Sequence, residues 1–395
     1  MKDNARSIKR IKIGMVISTY YPVWGGAQRQ LDQIGKYLVE EGIEYFILTR
    51  RLGGAKKTEE INGVLVHRLF VTNRWKWLDS VLFTSGALIW LLRNNSRFEI
   101  LHCYQMYSPA TIGTLIKAIL PEKKVVVKVT SSDEYGETNE IKRLPFTRAR
   151  TFLLKLVDKF LVVNRKIYDE LSGLGLSPEK AIYMPNGVYL PPAERLVDAE
   201  KVRLKTSLGL DFEKIVTFTG RITAEKNLEI LLRSWVKVSA GSAEAHLVLV
   251  GEGGLERNIE KDIIKLRSEL NLNNSVHLTG KVDNIFDYLI VSDVFVLPSI
   301  SEGLSNSLLE AMAVGLGIVA SNNPGNRQLI VHRQNGLLVD PGNEDDISSA
   351  INLLIRNEAY ARELGRRARE DARENFSIKE IARRYAGVYE DLLKS

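Results

Sequence analysis

Apolar residues in this chain come in two alternating rhythms. Residues 11–18, with a continuous apolar run at 13–17, suit a strand buried on both faces. A loop at 19–26 follows, and residues 27–40 then place Leu31, Ile34 and Leu38 at helical spacing. The alternation continues through strand-like runs at 45–49, 64–69, 100–103, 125–130 and 160–163, rich in β-branched residues and separated by helical stretches. It restarts near residue 215, with runs at 215–219, 245–250, 275–279, 294–297, 317–320 and 336–339. Strands alternating with helices predict parallel sheets covered on both sides. The fold class is therefore α/β, with two doubly wound Rossmann-like domains.

The turn-rich Met184-Pro185-Asn186-Gly187 and Leu190-Pro191-Pro192 separate the two halves. This predicts domains at 1–190 and 191–376, joined by a linker at 185–212, with closing helices at 358–374 and 377–393. In open α/β sheets ligands bind beyond the carboxyl ends of the strands, so the loops there are the places to look for chemistry.

Composition narrows the classes. The 395 residues fit two domains, and 45% hydrophobic with 26% charged content excludes a disordered or collagen-like chain. Cys103 is the single cysteine, which excludes an internal disulfide and a four-cysteine zinc site and favours a reducing compartment. The longest nearly apolar run, 80–92, falls short of the roughly 20 residues a membrane span needs. The basic start precedes only a short apolar run at 13–17, too short for a signal-peptide core, so a cytoplasmic location is expected. Net charge is +7 overall and +11 over residues 1–190, which leaves −4 over 191–395. A basic first half suits an anionic substrate or membrane face, or simply a lysine-rich surface.

The stretch with most chemistry is 298–312. It follows a strand and opens a helix near Ser305–Ser307, whose free backbone N–H groups and positive dipole end suit a phosphate. Glu302 precedes this helix and Glu310 lies in it. Eight residue steps at about 1.5 Å of helical rise separate them by about 12 Å, too far for a hydrolytic carboxylate pair and better suited to the two ends of an extended ligand. Ser307-x-x-Glu310 also fits a capping box, in which Glu310 only closes the helix start. The second constellation is 220–227, where Arg221 and Lys226 follow a strand and suit a diphosphate. The third is Trp24-Gly25-Gly26-Ala27-Gln28, where two glycines at a helix start permit close approach of a ligand or serve only a tight turn.

Other residues have structural readings of similar weight. His102 ends a strand and reads either as a contact to a substrate hydroxyl or as a buried, hydrogen-bonded histidine. Lys128 interrupts an apolar strand at a cost that function would explain. The acidic run Asp133, Glu134, Glu137 and Glu140 reads as a solvated loop, and Glu344-Asp345-Asp346 as a helix start. Arg74-Trp75-Lys76-Trp77 reads as a partly exposed loop that helps an amphiphilic substrate. Residues 146–157 read as a core helix with basic outer positions rather than a helix lying on a membrane. No histidine spacing resembles a metal site.

Taken in order, these pieces resemble the retaining glycosyltransferases of family four, with the two-domain GT-B fold. The residues that carry the resemblance are Trp24-Gly25-Gly26-Ala27, Pro185-Asn186-Gly187, Gly220-Arg221 with Lys226-Asn227, Leu249-Val250-Gly251-Glu252-Gly253, Ser292-Asp293-Val294, and Glu302 to Glu310 with Ala311-Met312-Ala313 and Gly315. The resemblance implies that Arg221 and Lys226 bind the donor diphosphate and that Glu310 holds the ribose hydroxyls. It implies that Glu302 with Gly303, Leu304, Ser305, Asn306, Ser307 and Leu308 holds the sugar and phosphate, and that Val282 meets the base. Gly25 and Gly26 join the donor set, and Glu302, Arg221 and Lys226 are the catalytic set. The second half then owns the donor and the first half the acceptor, with 377–395 returning to the first domain. Where many relatives carry a histidine, this chain reads Thr130-Ser131-Ser132-Asp133, and Gly187-Val188-Tyr189 has tyrosine where relatives often have aspartate. His102, Lys128 and Ser131 are the acceptor-side candidates.

The function implied is transfer of a sugar from a UDP- or GDP-linked donor to an acceptor hydroxyl with retention of configuration, in cell-surface polysaccharide or glycolipid synthesis. Neither a metal nor another cofactor is expected. The expected partners are the nucleotide sugar, a glycan or lipid-linked acceptor and the surface of an anionic membrane, and not nucleic acid. Two rivals remain: a sugar-nucleotide epimerase on a similar fold, and a non-catalytic basic binding protein.

Overall fold

A computed structural model describes residues 10–23, 25–132, 136–144, 146–192, 198–253 and 258–394. The chain divides into two compact units, one of residues 1–187 with 378–395 and one of 188–377.

Unit 1 runs β1 (Ile11–Val16), α1 (Gly26–Glu40), β2 (Ile43–Arg50), β3 (Thr58–Ile61), β4 (Val64–Leu69), α2 (Lys76–Arg93), β5 (Ile100–Tyr104), α3 (Ser108–Ile119), β6 (Lys124–Val129), α4 (Glu137–Arg143), α5 (Thr147–Leu154), β7 (Lys159–Val162), α6 (Lys166–Gly173) and β8 (Ala181–Tyr183). Its sheet has eight strands in the order β3-β4-β2-β1-β5-β6-β7-β8. Every pairing is parallel except that of β3 with β4. The central strands are buried on both faces, as a doubly covered parallel sheet requires: Ile13, Met15 and Val16 of β1 and Val125, Val126 and Val127 of β6 have no exposed surface.

Unit 2 runs α7 (Asp198–Ser207), β9 (Lys214–Thr219), α8 (Leu228–Gly241), β10 (Ala245–Val250), α9 (Glu260–Glu269), β11 (Val276–Gly280), α10 (Ile285–Val291), β12 (Val294–Leu297), α11 (Asn306–Val314), β13 (Gly317–Ser321), β14 (Leu337–Val339), α12 (Glu344–Arg356) and α13 (Glu358–Asn375). Its six strands are all parallel, in the order β11-β10-β9-β12-β13-β14. The order reverses direction between β9 and β12, which is the switch point where such sheets bind ligands.

The last helix, α14 (Ile378–Lys394), belongs to unit 1. Ile378, Ile381, Ala382, Tyr385, Ala386, Tyr389 and Leu392 form its buried stripe, and they share one core with β1, β2, β5 and α1.

Several details differ from the sequence expectations. The passage from unit 1 to unit 2 falls at Gly187/Val188, and the supposed linker contains α7, whose apolar content is too low to signal a helix. β3 reads Thr-Glu-Glu-Ile and is an exposed edge strand, so neither apolarity nor a clean alternation marked it. α5 is not a core helix: Leu154 is its one buried residue among those described, and Phe152 is exposed. Among the described residues no helix is long and apolar enough to cross a membrane.

Candidate active site

In unit 2 the loops after β9 and β12 meet. β9 ends at Thr219, and the chain crosses Gly220 and Arg221 into a 3-10 turn at Ala224–Lys226. Asn227 follows in the left-handed region at φ 57° and opens α8. Its side-chain amide donates to the carbonyls of Pro298 (3.3 Å) and Pro341 (2.8 Å), which ties this turn to the loops after β12 and β14. Ile300 N donates to the Glu225 carbonyl at 2.9 Å, a second tie to the first of these loops. These backbone anchors place Lys226 Nζ 2.6 Å from Glu302 Oε1. Arg221, on the same loop, reaches Glu225 at 3.5 Å and keeps most of its side chain exposed.

Glu302 is held from the other side as well. Gly325 lies so close beneath it that a Cβ there would overlap the Glu302 carbonyl. The Ser299 carbonyl accepts from Ser321 Oγ and, at 3.0 Å, from Asn323 Nδ2. α11 then begins with Ser305 as N-cap, its Oγ accepting from Leu308 N at 3.3 Å. The capping-box reading of Ser307 and Glu310 is thereby corrected. The cap is two residues earlier, so the third helical position is Leu308, and Glu310 lies beyond the first turn with a buried side chain. Gly303, Leu304, Ser305, Asn306, Ser307 and Leu308 form the approach and first turn of this helix, where backbone N–H groups lack intrahelical acceptors.

The sheet order brings the other donor-side candidates to the same edge. β10 lies beside β9, and there Gly251, at φ 142°, passes so close to Gly220 that a Cβ would overlap its carbonyl oxygen. Val282 follows β11, the next strand out, and packs partly buried against a cluster that includes Val248 and Val250. Gly25 and Gly26 belong to unit 1, at the start of α1, and so lie apart in sequence and unit from this constellation. Gly25 is the N-cap in an extended conformation, and Trp24 lies outside the described residues.

The acceptor-side candidates fare differently. His102 has no exposed surface, and its Nδ1 pairs with the Tyr389 hydroxyl at 2.7 Å. Lys128 is buried too, with Nζ donating to the Tyr385 hydroxyl at 2.6 Å. Both assignments are corrected: α14 covers these strand residues, so they are interior polar groups rather than substrate contacts. Burial pushes His102 down to about 3, with the nearby Lys128 adding to the shift, and pushes Lys128 down to about 7. Ser131 is half-buried just past the end of β6.

One residue read as solvated is the opposite. Glu137, the first residue of α4, is buried. Its Oε1 accepts from Thr130 N and Oγ1, both at 2.7 Å, and its Oε2 accepts from Met106 N at 2.6 Å. It therefore clamps together the chain segments that leave β5 and β6. Burial raises its carboxyl to about 7 against the opposing pull of those three hydrogen bonds. Glu140 accepts from the Tyr107 hydroxyl. Asp133 and Glu134 of the same run lie outside the described residues.

Comparisons with known proteins add to this geometry. The model of the family described as glycosyl transferases group 1 matches residues 203–371, and that of glycosyltransferase family 4 matches residues 24–190. N-acetyl-alpha-D-glucosaminyl L-malate synthase of Bacillus anthracis is 26% identical over 98% of this chain and 98% of its own. An uncharacterized glycosyltransferase of Methanocaldococcus jannaschii is 27% identical over 96% of this chain and 98% of its own. The crystal structure of Anabaena HepE in complex with UDP and glucose superposes with a TM-score of 0.81 at 18% identity, covering 96% of this chain and all of that one. The fold is thus GT-B.

Proposed function

The chain belongs to the group 1, family 4 glycosyltransferases, and we propose that it transfers a sugar from a nucleotide diphosphate sugar to an acceptor hydroxyl with retention of the anomeric configuration. The observation that carries the reading is the pairing of Lys226 with Glu302 at the switch point of unit 2, beside the first turn of α11. A cation, a carboxylate and the first turn of a helix at one sheet edge suit a ligand that is a diphosphate at one end and a polyol at the other.

In this reading Arg221 and Lys226 take the diphosphate, together with the amides of 303–308. Glu302 exchanges its bond with Lys226 for hydroxyls of the sugar. Glu310 holds the ribose hydroxyls, and Val282 with its neighbouring backbone meets the base. Unit 1 binds the acceptor, a glycan or a lipid-linked glycan at an anionic membrane face. The bond from the anomeric carbon to the phosphate oxygen breaks as the bond to the acceptor oxygen forms on the same face. The acceptor proton passes to the departing phosphate, whose growing charge Arg221, Lys226 and the helix amides stabilise. That set of positive groups is why the reading needs no metal, and transfer is expected to persist in a chelator. The UDP and glucose of the HepE structure support a nucleotide-sugar donor, and the name of the Bacillus anthracis relative supports an N-acetylglucosaminyl group as a first trial.

The test is a panel of UDP- and GDP-sugars incubated with the full chain and a trial acceptor, followed by NMR of the anomeric proton. Product with the donor's anomeric configuration supports the reading. Inversion refutes retention, and a changed donor sugar without acceptor establishes the epimerase alternative instead. Glu302→Gln is expected to abolish transfer with the fold intact, and near wild-type turnover would remove Glu302 from the site.

A further inference from the structure

The loops that leave β2 and β4 share an unusual chemistry. Residues 51–57 and 70–77 contain Arg51, Lys56, Lys57, Arg74 and Lys76 and no carboxylate. The loops are neighbours: Arg51 N donates to the Leu69 carbonyl at 2.7 Å, and Asn73 Nδ2 to the Arg51 carbonyl at 3.4 Å. The first acid after the second loop, Asp79, is turned inward, accepting from Thr72 N and Oγ1 and from Asn73 N; after the first loop Glu59 pairs with the buried Arg68, and Glu60 is an exposed acid at the border of this surface. The cations stand beside bare rings. The Arg51 guanidinium lies 5.8 Å from the ring centre of Phe70, and that of Arg74 lies 6.0 Å from Trp75. Phe70 is 60% exposed, Trp75 56% and Trp77 70%.

The apolar surface does not stop at the loops. α2 buries Phe83, Ala87 and Leu91 on one side, yet on the other it carries Trp77, Val81 and Ile89, all exposed and aligned at intervals of one or two turns. Ser85 fills the remaining position of that row, and its hydroxyl is turned back to the Val81 carbonyl at 2.9 Å. A surface helix apolar on both sides lacks the polar outer face that water requires. The patch is also preformed. The buried Arg68 donates from NH1 to the Lys56 carbonyl at 3.3 Å and from its backbone N to the Lys57 carbonyl at 2.7 Å, holding the first loop against β4.

We propose that this face of unit 1 docks on an anionic lipid bilayer, with the two tryptophans and the outer row of α2 at the headgroup–acyl boundary and the loop cations on lipid phosphates. Aromatic rings flanked by lysine and arginine suit that interface, where apolar burial and attraction to anionic headgroups act together. A polyanion in solution would engage the cations but would leave Val81 and Ile89 in water. The proposal rests on the reading of a membrane-borne acceptor and names the surface that would bring the enzyme to it.

The test is sedimentation of the full chain with vesicles of phosphatidylglycerol and phosphatidylcholine in equal parts, against phosphatidylcholine alone, at physiological salt. The variants are Arg74→Ser/Lys76→Ser and Trp75→Ser/Trp77→Ser, all at exposed positions outside the donor site. Each cation near an anionic surface is worth about five-fold in partitioning, so the first variant is expected to bind about twenty-five-fold more weakly. The second is expected to lose binding although its cations remain. Wild-type protein indifferent to the anionic vesicles, or both variants binding them as wild type does, overturns the proposal. So does loss of heparin retention in the first variant with vesicle binding unchanged. Thermal stabilisation by UDP or GDP, measured without vesicles, is expected to be the same in all three proteins. Its absence in the wild type would count against the transferase reading and leave the membrane result to stand alone.

Discussion

Removing the Lys226 ammonium leaves Glu302 as a charge without its partner in a nearly closed loop. The two side chains are 15% and 10% exposed and their charged atoms are 2.6 Å apart. At an effective dielectric constant of about 20, a pair at this separation attracts by about 6 kcal/mol, most of it offset by desolvation of both ions. The loss on breaking such a pair from one side is therefore dominated by the stranded charge, and Lys226→Met is expected to cost about 3 kcal/mol. For a unit of this size that lowers its melting temperature by about 6–12 °C. Lys226→Met/Glu302→Gln leaves no charge behind and is expected to recover at least half of the loss. The assay is scanning calorimetry of the four proteins of this double-mutant cycle, with the unit 2 transition identified by its shift on adding nucleotide. Glu302→Gln on its own is expected to bind UDP or GDP at least as well as wild type, because Lys226 is no longer shared, while it loses transfer. A cost below about 0.5 kcal/mol for Lys226→Met, or additive single variants, would refute a pair that organises the two loops.

The clamp at Glu137 is expected to fail in Glu137→Gln, because the amide nitrogen cannot accept from Met106 or Thr130; a loss of about 1–3 kcal/mol by urea unfolding checks it. Its raised carboxyl also sets a sign: the folded state holds the proton more tightly than the unfolded one, so Glu137 contributes stability below its ordinary range that is lost as pH rises toward about 7, a slope absent in Glu137→Gln. Lys128 acts oppositely to the usual lysine. Its folded value is lowered to about 7, so the unfolded chain binds more protons between there and 10.5, and wild type is expected to gain stability relative to Lys128→Met as pH rises through that window, by up to about 1.4 kcal/mol per pH unit. Gly251→Ala forces a Cβ onto the Gly220 carbonyl at a positive φ and is expected to abolish nucleotide-induced stabilisation or to unfold unit 2, either of which calorimetry reads; unchanged nucleotide response would mean that the two loops need not approach.

The strands were legible because a parallel sheet buried on both faces writes continuous β-branched runs. Ala245–Val250 and Val294–Leu297 have the bounds the pattern predicts, and so does Val64–Leu69, whose burial alternates along the strand. The same logic hid β3 and β8, whose exposed or half-exposed residues leave no such run. In the candidate site, the loop residues Arg221, Lys226 and Glu302 could be named from their places after strands. Their pairing could not, because it depends on the Asn227 bonds to Pro298 and Pro341, residues 71 and 114 positions away. For His102 the buried, hydrogen-bonded reading holds and the substrate-contact reading fails, as it does for Lys128, and sequence could not decide between them because their partners on α14 lie 287 and 257 residues on. Glu137 was masked by its acidic neighbours, and only the fold reveals that the backbone at Thr130 and Met106 faces it.

In the proposed function unit 2 holds a nucleoside diphosphate sugar on Arg221 and Lys226. Thermal stabilisation by UDP and by GDP, titrated side by side on wild type and on Arg221→Ala/Lys226→Ala, tests it most directly. A nucleotide at 100 times its dissociation constant adds about 2.7 kcal/mol to stability. The account predicts a saturable shift for one of the two nucleotides in the wild type and little or none in the variant. Silence toward both nucleotides, or an equal shift in the variant, would contradict it.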